Sequence, residues 1–100
     1  MSDDELLAGF DAGTPPVAAF DHGMHVRVAW LCLREDGLDA ATERMAAGLR
    51  ALTRAAGVPE KFDLALTRAW CGRIAAAIER DPGTGAFEDF VARRPELLRR

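Results

Sequence analysis

The two histidines of the chain, His22 and His25, lie three residues apart at the start of an apolar stretch. Residues three or four apart share one face of a helix, so both rings should point the same way if this stretch is helical. Two imidazoles with a carboxylate form a common ligand set for zinc or another divalent transition metal. A histidine held by a carboxylate can also serve as a general acid or base near neutral pH. The histidine pair is therefore the strongest candidate for a functional site.

A central helix over about residues 22–36 is predicted to carry this pair in its first turn. Nearly every residue from Met24 to Leu33 is apolar, which is typical of a helix that is buried on all sides. Asp21 is a suitable N-cap residue before this stretch, and Gly37 is a suitable helix end after it. The histidines should therefore sit at one end of a buried helix.

The rest of the chain predicts four more helices, so that three longer and two short helices form one compact all-α bundle over residues 1–100. The first helix is short, with Ser2 and Glu5 as a capping box and Gly13 at its end. Its expected buried face consists of Leu6, Leu7 and Phe10. Residues 14–16, Thr-Pro-Pro, should form a rigid connector because proline fixes its own φ and restricts the residue before it.

The remaining three helices follow the same signals. Asp39 is the predicted N-cap of a helix over about 40–56 that ends at Gly57, and a fourth helix is predicted over about 60–80. Thr84 is expected to cap a short last helix. The expected inward positions on these helices are Ala41, Met45, Gly48, Leu49, Leu52, Ala56, Leu66, Trp70, Ile74, Ile78, Phe87, Phe90 and Val91.

Short connections make helices two, three and four antiparallel to their sequence neighbours, so helices two and four run parallel. Their starts therefore lie at the same end of the bundle. Asp63 and Thr67 continue the apolar stripe of helix four toward that end and should face inward. A buried carboxylate or hydroxyl without a hydrogen-bond partner costs roughly 1–3 kcal/mol. Asp63 and Thr67 should therefore have partners, and His22 and His25 are the expected ones because they lie at the same end of the bundle.

Three kinds of occupant fit this predicted pocket. The first is a divalent transition metal or zinc held by His22, His25 and Asp63, with water completing the ligand set. The second is a small anionic or polar ligand, attracted by two helix N-termini. The third is a substrate of a small acid/base enzyme that uses His22, His25 or Asp63, since no paired nucleophile is visible. The predicted ligand-binding set is His22, His25, Arg27, Trp30, Asp63 and Thr67.

A structural role is the alternative to all three. In that case His22 and His25 only form hydrogen bonds to Asp63 and to the connector at residues 14–16. The protein would then be an interaction module, such as a homodimer or an accessory subunit. Whether the histidine pair is functional or structural stays open at this point.

Composition and charge argue against other partners. The net charge of −3 lacks the basic footprint of a nucleic-acid-binding protein. The longest apolar run, Val28 to Leu33, is far too short to span a bilayer, and the acidic start is unlike a signal peptide. Cys32 and Cys71 are expected to be buried core thiols of a protein in the reducing cytoplasm.

The stretch Phe20-x-His22-x-x-His25-x-Arg27-x-Ala29-Trp30 resembles the signature of a family of small, uncharacterised, all-helical bacterial proteins. The likeness extends from Leu6 to Leu98 and includes the closing Phe-x-x-Phe and Pro-x-Leu-Leu segments. Members of that family often read Phe-His-His-x-x-His at the first site and Tyr-His-x-x-x-Thr at the second. This chain has Asp21 and Asp63 where those histidines would fall. The resemblance implies a site at the same place, with a different charge and metal preference.

Overall fold

The computed structural model describes residues 2–13, 20–83 and 85–99, which form five α-helices and two short 3-10 turns without any strand. The helices are α1 (Asp3–Ala12), α2 (His22–Asp36), α3 (Leu38–Ala55), α4 (Leu64–Arg80) and α5 (Phe87–Arg93). The 3-10 turns are Pro59–Lys61, before α4, and Pro95–Leu98, after α5. The predicted all-α bundle is confirmed. The predicted connector at 14–16 and the predicted cap Thr84 lie outside the described residues.

Side-chain oxygens start three of these helices by accepting hydrogen bonds from main-chain N–H groups of the first turn. Ser2 Oγ accepts from Glu5, and Asp21 Oδ1 accepts from Met24, both as predicted. The predicted cap at Asp39 is wrong, because α3 begins at Leu38 with Gly37 in the N-cap position and no side-chain cap. Gly37 ends α2 and starts α3 with φ of 82°, a value that L side chains rarely adopt. Asp39 is therefore already in the first turn of the helix.

The end of α3 is a Schellman motif built on Gly57, in agreement with the predicted end. Gly57 has φ of 75°, and its N–H donates to the carbonyl of Arg54 while the N–H of Val58 donates to the carbonyl of Thr53. These two bonds satisfy carbonyls that the helix leaves without partners. The chain then turns sharply toward α4.

The start of α4 differs from the prediction by about one turn. Pro59–Lys61 forms a separate 3-10 turn, and α4 begins only at Leu64, with Asp63 as its N-cap. Leu66 was expected on the inner stripe, yet 53% of its surface is exposed. The first turn therefore presents Leu66 outward and Thr67 inward.

Helix α2 lies at the centre of the bundle, where it packs against α1, α3, α4 and the Pro95–Leu98 turn. Trp30 on α2 is 2% exposed and contacts the rings of Phe87 and Phe90 on α5. Phe10 of α1 is fully buried. The radius of gyration, 12.8 Å, is close to the roughly 13 Å expected of a folded chain of this length.

Charged side chains connect the helices at the surface of the bundle. Arg44 of α3 pairs with Asp11 of α1 and with Asp36 at the end of α2. Arg27 of α2 pairs with Asp3 of α1 and with Glu88 of α5. Such pairs fix helix positions more than they add to the free energy of unfolding, because their partners are largely solvated. Within the described residues, none of the helices is both long enough and apolar enough to cross a membrane.

Candidate functional site

A cleft of about 540 Å³ opens at the end of the bundle where α2 and α4 begin and α3 ends. This arrangement agrees with the predicted parallel course of α2 and α4. Four residues of the predicted ligand-binding set line the cleft: His22, His25, Asp63 and Thr67. The cleft is therefore the candidate functional site.

The deep part of the cleft is apolar and the mouth is polar. Val26, Cys71 and Ile74 lie deepest and are each 1% exposed. Lys61 and Asp63 are both exposed and place one positive and one negative charge at the mouth. A cleft of this kind gains affinity from the apolar part of a ligand, while the polar groups orient it.

The His22 ring forms part of the cleft wall and is held from two sides. Its Nε2 lies 2.9 Å from the main-chain carbonyl oxygen of Leu97, and its ring meets the Trp70 indole edge to face at 4.7 Å. A carbonyl oxygen can only accept a hydrogen bond, so Nε2 must carry the proton. In the neutral ring, Nδ1 is then left as a hydrogen-bond acceptor.

The His25 ring is positioned by aromatic residues of the core. Its centroid lies 4.6 Å from that of Phe20, and Phe20 in turn stacks on Phe10 at 5.4 Å. Phe20 is 5% exposed and Phe10 is fully buried, so this stack is part of the rigid interior. The position of His25 in the cleft therefore depends on the packing of α1.

Asp63 and Thr67 do not use the partners that were expected. The Asp63 carboxylate is exposed and accepts the N–H of Leu66 at 3.0 Å, which is its role as N-cap. The buried Thr67 hydroxyl donates to the main-chain carbonyl of Asp63 at 2.9 Å. The histidines are therefore not needed to satisfy these two groups, and His22 forms its hydrogen bond with Leu97 instead.

The predicted metal-ligand set is not assembled. Across residues 2–13, 20–83 and 85–99, no three His, Cys, Asp or Glu side chains are grouped so that they could hold a metal ion. The reason lies in the start of α4, because an N-cap aspartate turns its carboxylate back toward the helix N-terminus. His22, His25 and Asp63 border the same cleft without converging on one point.

Two further residues of the predicted set, Arg27 and Trp30, are not at the cleft. The Arg27 guanidinium donates to Asp3 at 2.7 Å, and the carboxylates of Asp3 and Glu88 raise the pKa of Arg27. Trp30 is buried against α5, and the guanidinium carbon of Arg34 lies over its ring at 4.4 Å from the centroid. Both residues serve the packing of α2 against α1 and α5.

Three lining residues were missed from the sequence. Lys61 and Phe62 belong to the segment before α4, which was predicted to be part of helix four. Cys71 was expected only as a buried core thiol, and the cleft extends down to it. Its thiol is free and 1% exposed, and burial raises its pKa. If helix four had been predicted to begin after Asp63 as its N-cap, Lys61 and Phe62 would have fallen in the preceding segment and could have been predicted as site residues.

Comparisons with protein-family models, with curated proteins and with solved structures each returned no match for this chain. The resemblance to small helical bacterial proteins therefore stays a prediction.

Proposed function

We propose that this protein binds a small organic molecule in the cleft between the starts of α2 and α4. The observation that carries the proposal is the cleft itself: about 540 Å³ with a buried apolar floor and two imidazoles in its wall. Ligand pockets in proteins have volumes of roughly 300–1,000 Å³ and are mostly apolar with a few polar groups. The volume of this cleft lies within that range, and its lining is mostly apolar with a few polar groups.

The chemistry of the wall defines the ligand. The floor at Val26, Cys71 and Ile74 offers apolar contacts and a protonated thiol, so the part of the ligand that lies there is hydrocarbon or aromatic. Nδ1 of neutral His22 accepts a hydrogen bond, which suits a hydroxyl, amide or protonated acid on the ligand. Lys61 at the mouth suits a ligand whose outer end is polar or negatively charged. The ligand is therefore amphipathic, with its polar groups near the histidines and the mouth.

A fragment screen by two-dimensional NMR tests this proposal. The probes are small aliphatic and aromatic acids, alcohols and amides, added one at a time to the full chain. Binding should shift the amide signals of residues around the cleft, such as Val26 and Thr67, and leave those of α5 unchanged. Fragments that shift no cleft signal, or that shift signals elsewhere equally, would contradict the proposal.

A matched pair of leucine variants provides the control for the site. Leu66 and Leu98 are similarly exposed, 53% and 45%, but only Leu66 lines the cleft. Leu66→Ala should weaken binding of the fragments found in the screen by roughly tenfold, through lost apolar contact. Leu98→Ala should leave the affinity unchanged. Equal effects of the two variants would place the fragments outside the cleft.

A histidine variant separates binding from a structural role. The side-chain amide of His22→Gln can still donate to the Leu97 carbonyl, so the free energy of unfolding should stay close to that of the unaltered protein. Fragment affinity should fall, because glutamine has no acceptor at the position of Nδ1 and its amide oxygen lies further along the side chain. Loss of stability without any change in fragment affinity would show that His22 is only structural.

A further inference from the structure

Four exposed charged residues form a single stripe along α3: Asp39, Glu43, Arg50 and Arg54. At 3.6 residues per turn, the four side chains lie within about 60° of the helix circumference. The two acidic residues occupy the N-terminal half of the helix, and the two basic residues occupy the C-terminal half. The stripe thus has one charge sign at each end.

The spacing of the stripe is symmetric about the middle of α3. Asp39 and Arg54 are equally far in sequence from the midpoint between Ala46 and Ala47. Glu43 and Arg50 are equally far from it as well. A two-fold axis through this midpoint therefore turns every acidic position onto a basic position of the same helix in a second copy.

Within α3 itself this arrangement is unfavourable. Asp39 with Glu43 and Arg50 with Arg54 are like charges four residues apart, which destabilise a helix. None of the ion pairs among the described residues involves any of the four. Arg50 does lie over the Phe62 ring, with its guanidinium carbon 4.8 Å from the centroid. Stacking uses the face of a guanidinium and leaves its N–H edge to donate to a carboxylate.

The helix dipole explains only part of the stripe. It favours acidic residues in the first turn and basic residues in the last turn, where Asp39 and Arg54 lie. Its effect falls off beyond those turns. Glu43 and Arg50 lie further inside the helix, so their placement needs another reason.

We propose that the protein forms a homodimer in which the α3 helices of two copies pack antiparallel across this two-fold axis. Glu43 then pairs with the partner's Arg50, and Asp39 pairs with the partner's Arg54, so four ion pairs form in all. Ala47 is exposed beside the axis, and its small side chain allows the helices to approach closely. Leu38, 46% exposed beside the stripe, gains apolar cover in the same contact.

Sedimentation equilibrium of the full chain with charge-reversal variants tests the proposal. Glu43→Arg should raise the dimer dissociation constant by roughly tenfold or more, because like charges then face each other twice. Adding Arg50→Glu to that variant should restore the dissociation constant to within about threefold, since the pairs re-form with opposite signs. Raising the salt concentration should weaken the unaltered dimer.

Glu79→Arg on α4 is the control, since Glu79 is also exposed and lies off the stripe. Circular dichroism shows whether each variant stays helical, as expected for substitutions at exposed positions. A chain that is monomeric at all accessible concentrations would overturn the proposal. A dimer that Glu43→Arg leaves intact, or that the double reversal fails to restore, would also overturn it.

Discussion

A close contact between α1 and α3 makes Gly48 an informative position for a stability measurement. The Phe10 ring of α1 lies directly on Gly48 of α3, where a Cβ atom would overlap three ring carbons. Phe10 cannot swing away, since it is fully buried and stacks on Phe20. In an open helix, Gly→Ala would stabilise by about 1 kcal/mol. Overpacking of a tight core costs about 1–3 kcal/mol, and an overlap this deep belongs at the upper end.

Gly48→Ala should therefore lower the free energy of unfolding by a net value of about 2 kcal/mol. Urea unfolding followed by circular dichroism measures this change, and a fall in Tm of roughly 8–16 °C should accompany it. Gly72 in α4 is the matched control, because no atom lies within 4 Å of the Cβ position there. Gly72→Ala should raise the free energy of unfolding by up to about 1 kcal/mol. Stabilisation by both substitutions would refute the described contact between α1 and α3.

Three further predictions concern the ion pairs, the thiols and the cleft hydroxyl. The Arg44 guanidinium holds the pKa of Asp11 below its ordinary value. The stabilisation by this pair is therefore fully present at pH values above the ordinary pKa, and it is lost as the pH falls through the lowered pKa. Arg44→Met should therefore lower the unfolding free energy at neutral pH and flatten its decline in acid, below the ordinary carboxyl pKa of 3.8, in urea titrations. Burial raises the pKa of Cys32 from 9.0 to about 11 and also raises the pKa of Cys71. Because the thiolate is the reactive form, iodoacetamide should alkylate Cys32 roughly a hundredfold more slowly in the folded chain than in the urea-unfolded chain, and Cys71 should also react more slowly. Equal rates in the two states would contradict this prediction. Thr67→Val should cost no more than about 1 kcal/mol in urea unfolding, because the carbonyl that its hydroxyl contacts keeps a main-chain partner.

The central helix was predictable because its signals agree with one another. Asp21 caps it, an apolar run fills it and Gly37 ends it, and the structure has the helix at His22–Asp36. The start of α1 and the end of α3 were predictable for the same reason, since Ser2 and Gly57 act locally. Local capping chemistry is encoded in a few neighbouring residues and can be read without knowledge of the packing.

The site was harder to predict because its details depend on one helix boundary. Asp39 and Asp63 are both plausible caps, yet only Asp63 caps a helix, since the left-handed Gly37 already starts α3. With α4 beginning at Leu64 rather than near residue 60, the Asp63 carboxylate is committed to the helix N-terminus. The expected partnership of this carboxylate with the histidines is therefore replaced by a local contact.

Individual long-range contacts between side chains could not be predicted. Nothing near His22 in sequence indicates that its hydrogen-bond partner is the carbonyl of Leu97. The ring of Phe10 on Gly48 is equally invisible to local patterns, because it depends on how α1 lies across α3. Sequence patterns thus predicted which end of the bundle holds the cleft, while its wall is set by tertiary packing.

The hydrogen bond from His22 to Leu97 spans 75 residues of sequence and has a consequence for synthesis. The ribosome releases the chain from its N-terminal end, so α1, α2 and α3 emerge and can pair while Leu97 is still unmade. Helix α4 follows, and the Trp70 ring can then reach His22. The hydrogen bond from His22 to Leu97 can form only when the Pro95–Leu98 turn clears the exit tunnel. A nascent chain stalled before that point would have the helices of the cleft in place, with the His22 ring in contact with Trp70 but without its hydrogen bond to Leu97.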